Sequence, residues 1–127
     1  VLVRDGKVIA RGHNQRRALN DPTAHAEIMC LRDSGMLEDT KGVILYSTLE
    51  PCPMCSGAVL QIGIKTVVYG EDDLTFGGCG TVFHFLDRAK VGIIRHTLRK
   101  QCRGILLRFF KKELGYASKC WFDIELS

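Results

Sequence analysis

The pattern of apolar and polar residues along the chain predicts short strands alternating with helices. The strand pattern occurs in five segments, at residues 1–4, 7–11, 43–47, 66–69 and 91–95. Asp5-Gly6 separates the first two segments, and this dipeptide strongly favours a tight hairpin turn. The fourth segment, Thr66-Val67-Val68-Tyr69, is nearly continuously apolar, as expected for a strand in the middle of a parallel sheet.

The helical pattern occurs in three segments. The first helix is predicted to begin with Asp21 as its N-terminal cap and Pro22 in the first helical position, and to end at Gly35. The second is predicted to begin near Pro53, and the third to cover residues 98–114. The inward face of the third helix is expected to carry Cys102, Ile105, Leu106 and Phe109.

Residues 76–80 contain three glycines and predict a loop, and residues 81–86 are expected to form a short helix. A hairpin followed by alternating helices and strands is typical of an α/β fold. The pattern therefore predicts a mixed sheet with helices packed on it.

The composition indicates one ordinary globular domain covering residues 1–127, with 46% hydrophobic and 25% charged residues. No apolar run approaches the roughly 18 residues needed to span a bilayer, so no membrane partner is expected. Since the chain begins with Val1 and not Met, we expect an upstream segment that is removed or not included. The net charge of +4 permits an anionic partner without requiring one.

Six cysteines would suffice for three disulfides, but a normal aliphatic core and the lack of an export signal argue against a secreted disulfide scaffold. Two of them form the spacing Cys52-Pro53-Met54-Cys55. The cysteine usage therefore favours a cytoplasmic protein with a metal or redox site.

Two motifs contain the residues of a metal site. His25-Ala26-Glu27 and Cys52-Pro53-Met54-Cys55 each lie near the predicted start of a helix. Cysteines three apart on a helical turn face the same way, and the helix N-terminus favours the thiolate form. One imidazole and two thiolates suit Zn²⁺, and a site with three protein ligands leaves one position for water, as in catalytic zinc sites.

Glu27 is the expected acid and base of such a site. Zinc lowers the pKa of a bound water, and a carboxylate beside the metal, but not bound to it, accepts the proton and passes it to the substrate. The combination of HxE with PCxxC is the signature of zinc deaminases. A structural zinc site or a redox CxxC motif would leave Glu27 without a role.

On these motifs the chain resembles the cytidine-deaminase-like zinc hydrolases. Within that superfamily it is most similar to fungal-type cytosine deaminases and their bacterial relatives. This similarity is carried by Gln61-Ile62-Gly63-Ile64, Thr75-Phe76-Gly77-Gly78 and Trp121-Phe122-Asp123-Ile124. The resemblance implies a three-layer α/β/α fold with a helix before the first strand, which this sequence does not include. It also implies one Zn²⁺ per chain and a homodimer.

The resemblance further assigns four residues to substrate binding. A residue like Asn14 binds the base, and one like Asp123 accepts a hydrogen bond from its amino edge. Aromatic residues like Phe76 and Trp121 wall the pocket. An amide matches the donors and acceptors of a base, and aromatic rings stack on its flat face.

The leading expectation for function is hydrolysis of the free nucleobase cytosine to uracil and ammonia, a reaction of pyrimidine salvage. An alternative is deamination of adenosine or cytidine in tRNA or single-stranded DNA, because His25-Ala26-Glu27 and Glu50-Pro51-Cys52 also resemble tRNA adenosine deaminases. The basic residues of the third helix would then contact nucleic acid; otherwise they form its solvated face. A second alternative, a non-catalytic zinc-binding partner subunit, leaves Glu27 unexplained.

Overall fold

The computed structural model describes residues 1–114, of which 113 and 114 are described by their backbone alone. Five strands and three helices follow one another along this part of the chain. The strands are β1 (Leu2–Arg4), β2 (Lys7–Ala10), β3 (Ile44–Leu49), β4 (Thr66–Glu71) and β5 (Gly92–Ile94). The helices are α1 (Ala26–Ser34), α2 (Pro53–Ile62) and α3 (Arg99–Leu114).

The strands form one mixed sheet in the order β2-β1-β3-β4-β5. β1 pairs antiparallel with β2 and with β3, whereas β3, β4 and β5 are parallel to one another. The apolar strand β4 is therefore flanked by parallel strands on both sides, as its sequence predicts. The parallel register pairs Leu49 with Glu71, so the carboxyl ends of β3 and β4 lie side by side.

Helices cover both faces of this sheet. The main apolar core combines residues of α1 and α2 with one face of β3 and β4, and includes Leu31, Leu45, Val59 and Val67. On the opposite face α3 packs against β3 and β4. At Gly70 of β4 the approach is so close that a Cβ atom would lie 2.3 Å from the Cys102 sulfur. The fold is thus the predicted three-layer α/β/α arrangement.

Helix α1 begins later than its sequence predicts. Asp21 caps a turn instead, since its Oδ1 accepts hydrogen bonds from the backbone and hydroxyl of Thr23 at 2.8 and 2.7 Å. His25 is extended, with φ −66° and ψ 154°, and is the residue preceding the helix. The prediction of the helix start is wrong because the Asp21 side chain is used in a local turn. The functional consequence is that His25 lies at the helix end.

Residues 81–86 form no helix, contrary to expectation. The carbonyl of Gly77 accepts hydrogen bonds from the backbone of both Val82 and Phe83, at 3.2 and 2.8 Å. Cys79 and His84 form an isolated antiparallel bridge. The backbone N–H groups of residues 82 and 83 are thus bound to the glycine-rich loop and are not available for the hydrogen bonds of a helix.

Helix α3 packs less deeply than its pattern predicts. Cys102 is half-buried against the sheet, but Ile105 and Phe109 are 49% and 38% exposed. The expectation that these two residues point inward is therefore wrong, since side chains packed against the sheet would be buried. Within residues 1–114, no helix combines the length and the apolar character required to cross a membrane.

Candidate active site

His25, Cys52 and Cys55 converge at the amino-terminal ends of α1 and α2. His25 precedes α1, Cys52 caps α2 and Cys55 lies in its first turn. The Nδ1 atom of His25 lies 3.6 Å from the sulfur of Cys52 and 3.6 Å from the sulfur of Cys55. All three potential ligand atoms lie within 4.8 Å of one another. The fold therefore joins two motifs that are 25 residues or more apart in sequence.

The spacing of these atoms suits a tetrahedral zinc ion. With Zn–S bonds of about 2.3 Å and Zn–N bonds of about 2.0–2.1 Å, tetrahedral geometry separates nitrogen from sulfur by about 3.6 Å. This is the distance found from His25 to each cysteine sulfur. Two sulfurs and one imidazole nitrogen also form a donor set that zinc prefers. The residues present therefore fit the metal.

The surroundings favour deprotonation of one cysteine. Hydrogen bonding from Cys55 is the main cause that lowers the pKa of Cys52 to about 4, and His25 adds to it. The pKa of Cys55 is raised, first by its hydrogen bond to Cys52 and then by burial. The pKa of His25 is raised, chiefly by its hydrogen bond to Cys52. Cys52 is thus a thiolate at neutral pH, which is the form that binds metal ions.

Glu27 lies beside this cluster without being one of the converging ligands. Its Oε1 atom is 3.1 Å from the hydroxyl oxygen of Ser47, which is also 2.7 Å from the carbonyl oxygen of Leu49. The single hydroxyl proton of Ser47 can therefore be donated to only one of them at a time. Burial raises the pKa of Glu27, whereas hydrogen bonds from Cys55 and Ser47 lower it. Glu27 is thus held in place at the edge of the cluster.

The loop after β2 brings Asn14 towards the cluster. A Cβ atom on Gly12 would lie 2.4 Å from the carbonyl oxygen of Ala26, so this loop packs directly on α1. Gln15 donates a backbone hydrogen bond to the carbonyl of Ala24, next to His25, at 3.0 Å. Asn14 is exposed, and its Oδ1 accepts the backbone N–H of Arg16 at 3.1 Å. Its role in binding a base stays a prediction.

The other predicted pocket residues are not brought together in the described part of the chain. Phe76 is 57% exposed, in the loop that follows β4. Its predicted role as a pocket wall is neither supported nor opposed by this position. Trp121 and Asp123 lie outside the described residues, so their roles also stay predictions.

A cavity of about 320 Å³ adjoins Glu27 and is lined by residues of β3, β4 and α3. Its lining includes Glu27, Ser47, Thr48, Gly70, Leu98 and Cys102, but none of the three potential zinc ligands. The cavity is mainly apolar in its lining residues. We therefore locate the chemistry at the cluster of His25 and the two cysteines, and not in this cavity.

Sequence reasoning missed two polar residues of this region, Ser47 and Glu50. Ser47 interrupts the apolar run Ile44-Leu45-Tyr46 near the end of β3, and Glu50 follows Leu49 at the same strand end. Glu50 is only 2% exposed. Polar residues where a parallel strand ends are a signal that could have identified both.

Comparison with known proteins identifies the family. Residues 1–71 match the model of the cytidine and deoxycytidylate deaminase zinc-binding region. The chain belongs to this family of zinc-dependent deaminases. The matched segment contains both motifs of the metal cluster, and Zn²⁺ is therefore the cofactor of this domain.

Several curated relatives have narrower names. The tRNA-specific adenosine deaminase of Haemophilus influenzae is 40% identical over 88% of this chain and 69% of its own length. That of Bacillus subtilis is 36% identical over 88% of this chain and 74% of its own length. A chloroplastic tRNA(adenine(34)) deaminase of Arabidopsis thaliana is 49% identical over 64% of the chain, which spans only 6% of that relative.

Solved structures agree with this family. A structure from a study of A-to-I editing by tRNA:A34 deaminases at the wobble position of transfer RNA aligns with a TM-score of 0.74. It is 36% identical, and the alignment covers 83% of this chain and 81% of that one. The deaminase/reductase of Thermotoga maritima aligns with a TM-score of 0.70 at 26% identity, covering 91% of this chain and 34% of that one.

These comparisons correct the expected substrate. Curated relatives that match most of the chain are named tRNA-specific adenosine deaminases, so cytosine deamination, and with it pyrimidine salvage, is wrong as the leading interpretation. The resemblance to cytosine deaminases depends on residues 61–64, 75–78 and 121–124, none of which is a candidate metal ligand. The motifs His25-Ala26-Glu27 and Glu50-Pro51-Cys52, which lie in the metal site itself, were the better guide.

Proposed function

We propose that this domain converts an adenosine in tRNA to inosine. The observation that carries the proposal is the identity of 36–40% with tRNA-specific adenosine deaminases over 88% of the chain. The metal cluster supports the same chemistry, since it brings together the histidine and the two cysteines of the zinc deaminase signature, with Glu27 beside them. By analogy with the A34 deaminases, we place the target adenosine at the wobble position of the anticodon.

The reaction consumes one water, replaces the amino group at C6 of adenine with oxygen and releases ammonia. His25, Cys52 and Cys55 would hold the zinc ion, which supplies a water of lowered pKa when bound. Glu27 then carries out the proton transfers of the reaction. This carboxylate accepts one proton from the attacking water and delivers it to N1 of the ring. It then accepts the second proton from the oxygen now bonded to C6 and passes it to the amino group, which leaves as ammonia.

Ser47 supports this role by orienting Glu27. When its hydroxyl donates to Oε1 of Glu27, 3.1 Å away, and not to the carbonyl of Leu49, the second carboxylate oxygen remains for proton transfer. Because a hydrogen bond to one oxygen limits rotation of the carboxylate, the other oxygen keeps a defined direction. Ser47 is therefore a positioning residue and touches no reacting atom.

The charge around the site suits a polyanionic substrate. The loop from residue 11 to residue 20 contains Arg11, Arg16 and Arg17 but no acidic residue. Arg16 lies close enough to His25 to lower the pKa of its imidazole, although other interactions raise that pKa overall. Helix α3 carries further exposed cations: Lys100, Arg108, Lys111 and Lys112. Such residues neutralise phosphates and supply much of the affinity for nucleic acid.

Assembly and location are further parts of the proposal. We infer a homodimer from the resemblance to zinc deaminases. We infer a cytoplasmic location from the cysteine usage. Size measurement in solution by light scattering tests the first inference, and fractionation of cells tests the second.

The test of the proposed activity is ammonia release from a panel containing tRNA, an unstructured adenosine oligonucleotide, free adenosine, cytosine and guanine. Mass spectrometry of the digested tRNA then locates inosine. We expect release from tRNA, with one inosine per molecule, and none from the variant Glu27→Gln. Preferential release from a free base would contradict the proposal.

A further inference from the structure

The glycine loop, defined as residues 77–81, lies directly on the turn formed by Glu50, Pro51 and the metal-ligand candidate Cys52. Gly78 donates a backbone hydrogen bond to the carbonyl of Pro51 at 2.8 Å. A Cβ atom on Gly77 would lie 1.7 Å from Oε2 of Glu50, and one on Gly78 would lie 2.6 Å from the hydroxyl of Ser56. Only glycine allows this approach at either position.

Glu50 joins the two segments through its buried carboxylate. The residue is 2% exposed, and its backbone N–H binds the carbonyl of Glu71 at 2.9 Å, which continues the pairing of β3 with β4. Its Oε2 atom accepts the backbone N–H of Cys79 at 3.4 Å. Its Oε1 atom accepts the hydroxyl of Thr81. The Glu50 side chain thus binds the glycine loop at two points, Cys79 and Thr81.

Arg95 completes the same network from the end of β5. Its guanidinium donates to the carbonyl of Cys79, and also to the hydroxyl of Tyr69 at 3.0 Å. Cys79 is therefore held by Glu50 through its N–H and by Arg95 through its carbonyl. A buried carboxylate satisfied by donors from a loop stabilises one arrangement of that loop and penalises others, because any other leaves buried polar groups unpaired.

We propose that Glu50 is a positioning residue of the deaminase. Its carboxylate fixes the glycine loop against the turn that presents Cys52, and thereby fixes the geometry of this ligand. This assignment rests on the proposed function only where kcat is measured, because hydrogen exchange and zinc affinity need no substrate. Groups that support metal ligands from outside typically contribute about 10- to 100-fold to metal affinity or activity, and we expect Glu50 to fall in this range.

The test compares Glu50→Leu with Glu50→Gln and with the matched control Glu71→Leu. Leucine removes both acceptors at similar size. Glutamine retains the network, because its amide oxygen can accept from Cys79 while its amide N–H donates to the hydroxyl oxygen of Thr81. Glu71 is an equally buried glutamate, 4% exposed, at the end of the neighbouring strand, but its carboxylate pairs with Arg99 on α3.

For Glu50→Leu we expect amide hydrogen exchange at Cys79 to accelerate at least about tenfold, and zinc affinity or kcat to fall about 10- to 100-fold. KM for tRNA should change little, because the basic surface is untouched. Glu50→Gln should restore most of each value, and Glu71→Leu should change neither Cys79 exchange nor zinc affinity. Equal effects of Glu50→Leu and Glu71→Leu would overturn the proposal, since a general loss of stability would then explain both.

If Glu50→Leu does not fold, Thr81→Val and Thr81→Ser decide the question. Valine removes the donor to Glu50 at nearly constant volume, and serine retains it. Faster exchange at Cys79 and a lower kcat in the first variant only would support the role of Glu50, and identical behaviour would contradict it. Exchange and zinc affinity need no substrate, so a failure of the proposed tRNA activity is distinguishable from a failure of this assignment.

Discussion

The variant Glu27→Gln separates catalysis from metal binding most cleanly. Glutamine has the same size as glutamate, and its amide oxygen can still accept the hydroxyl of Ser47 where Oε1 now does at 3.1 Å. The converging atoms of His25, Cys52 and Cys55 are unchanged by the substitution. We therefore expect the variant to fold, to bind one zinc per chain and to bind tRNA with unchanged affinity.

The same variant should lose turnover by a predictable factor. An amide cannot accept and release the protons that the reaction moves, and general acid–base catalysis contributes about 10²- to 10⁴-fold to rate. Because the mechanism assigns more than one transfer to Glu27, we expect kcat to fall by at least the upper part of this range. Single-turnover inosine formation measures the rate, and mass spectrometry of metals measures zinc.

The control is Glu38→Gln, which makes the same chemical change at an exposed residue outside the site. Two results would refute the reasoning about Glu27. A rate within about tenfold of the parent would show that no essential proton passes through this residue. Loss of zinc from the variant would show that Glu27 is a metal ligand.

Four further predictions concern the metal, the orientation of Glu27 and the binding of tRNA. Cys55→Ser should weaken zinc binding by more than the ~10- to 100-fold that is typical when a group hydrogen-bonded to a metal ligand is lost. Competition with a chelator measures the zinc affinity. The control Cys30→Ser changes a buried thiol outside the cluster and should leave the zinc affinity unchanged. Ser47→Ala should lower kcat about tenfold without changing zinc content, since a hydrogen bond to a charged group contributes about 1.5–3 kcal/mol; an unchanged kcat would remove Ser47 from the mechanism. The value of kcat/KM for tRNA should fall by orders of magnitude between roughly 50 and 200 mM salt, whereas a flat profile would argue against phosphate contacts. Lys111→Gln combined with Lys112→Gln should raise KM for tRNA and change the unfolding midpoint little, because both side chains are exposed.

Much of the fold follows from local pattern. Asp5-Gly6 predicts the hairpin, and both residues have positive φ, 51° and 74°. The apolar stretch at residues 66–69 predicts a central parallel strand, and β4 (Thr66–Glu71) is one. These features depend on neighbouring residues alone, so sequence is sufficient for them.

The two errors of secondary structure arise from short-range hydrogen bonds that compete with helix formation. Asp21 reads as a helix cap, but it is drawn into a turn with Thr23. Residues 81–86 read as a helix, but their backbone bonds to the glycine loop. The network around Glu50 joins residues about 30 positions apart, and no periodicity of the chain reveals it.

The metal site was predictable for a different reason. Zinc binding requires particular residue types at fixed short spacings. The motifs His25-Ala26-Glu27 and Cys52-Pro53-Met54-Cys55 can therefore be recognised as a zinc site from the sequence alone. The substrate was not predictable in this way, because the same metal site deaminates several bases. Selection among bases depends on the surrounding pocket, of which Trp121 and Asp123 are predicted members outside the described residues.

One measurement tests the central claim most directly: a competition in which the zinc-loaded protein acts on tRNA and free cytosine in one reaction. Mass spectrometry quantifies inosine and uracil as both form. The account predicts inosine in tRNA, abolished by Glu27→Gln, and no accumulation of uracil. Uracil formed faster than inosine, or inosine formed equally well by the Glu27→Gln variant, would contradict it.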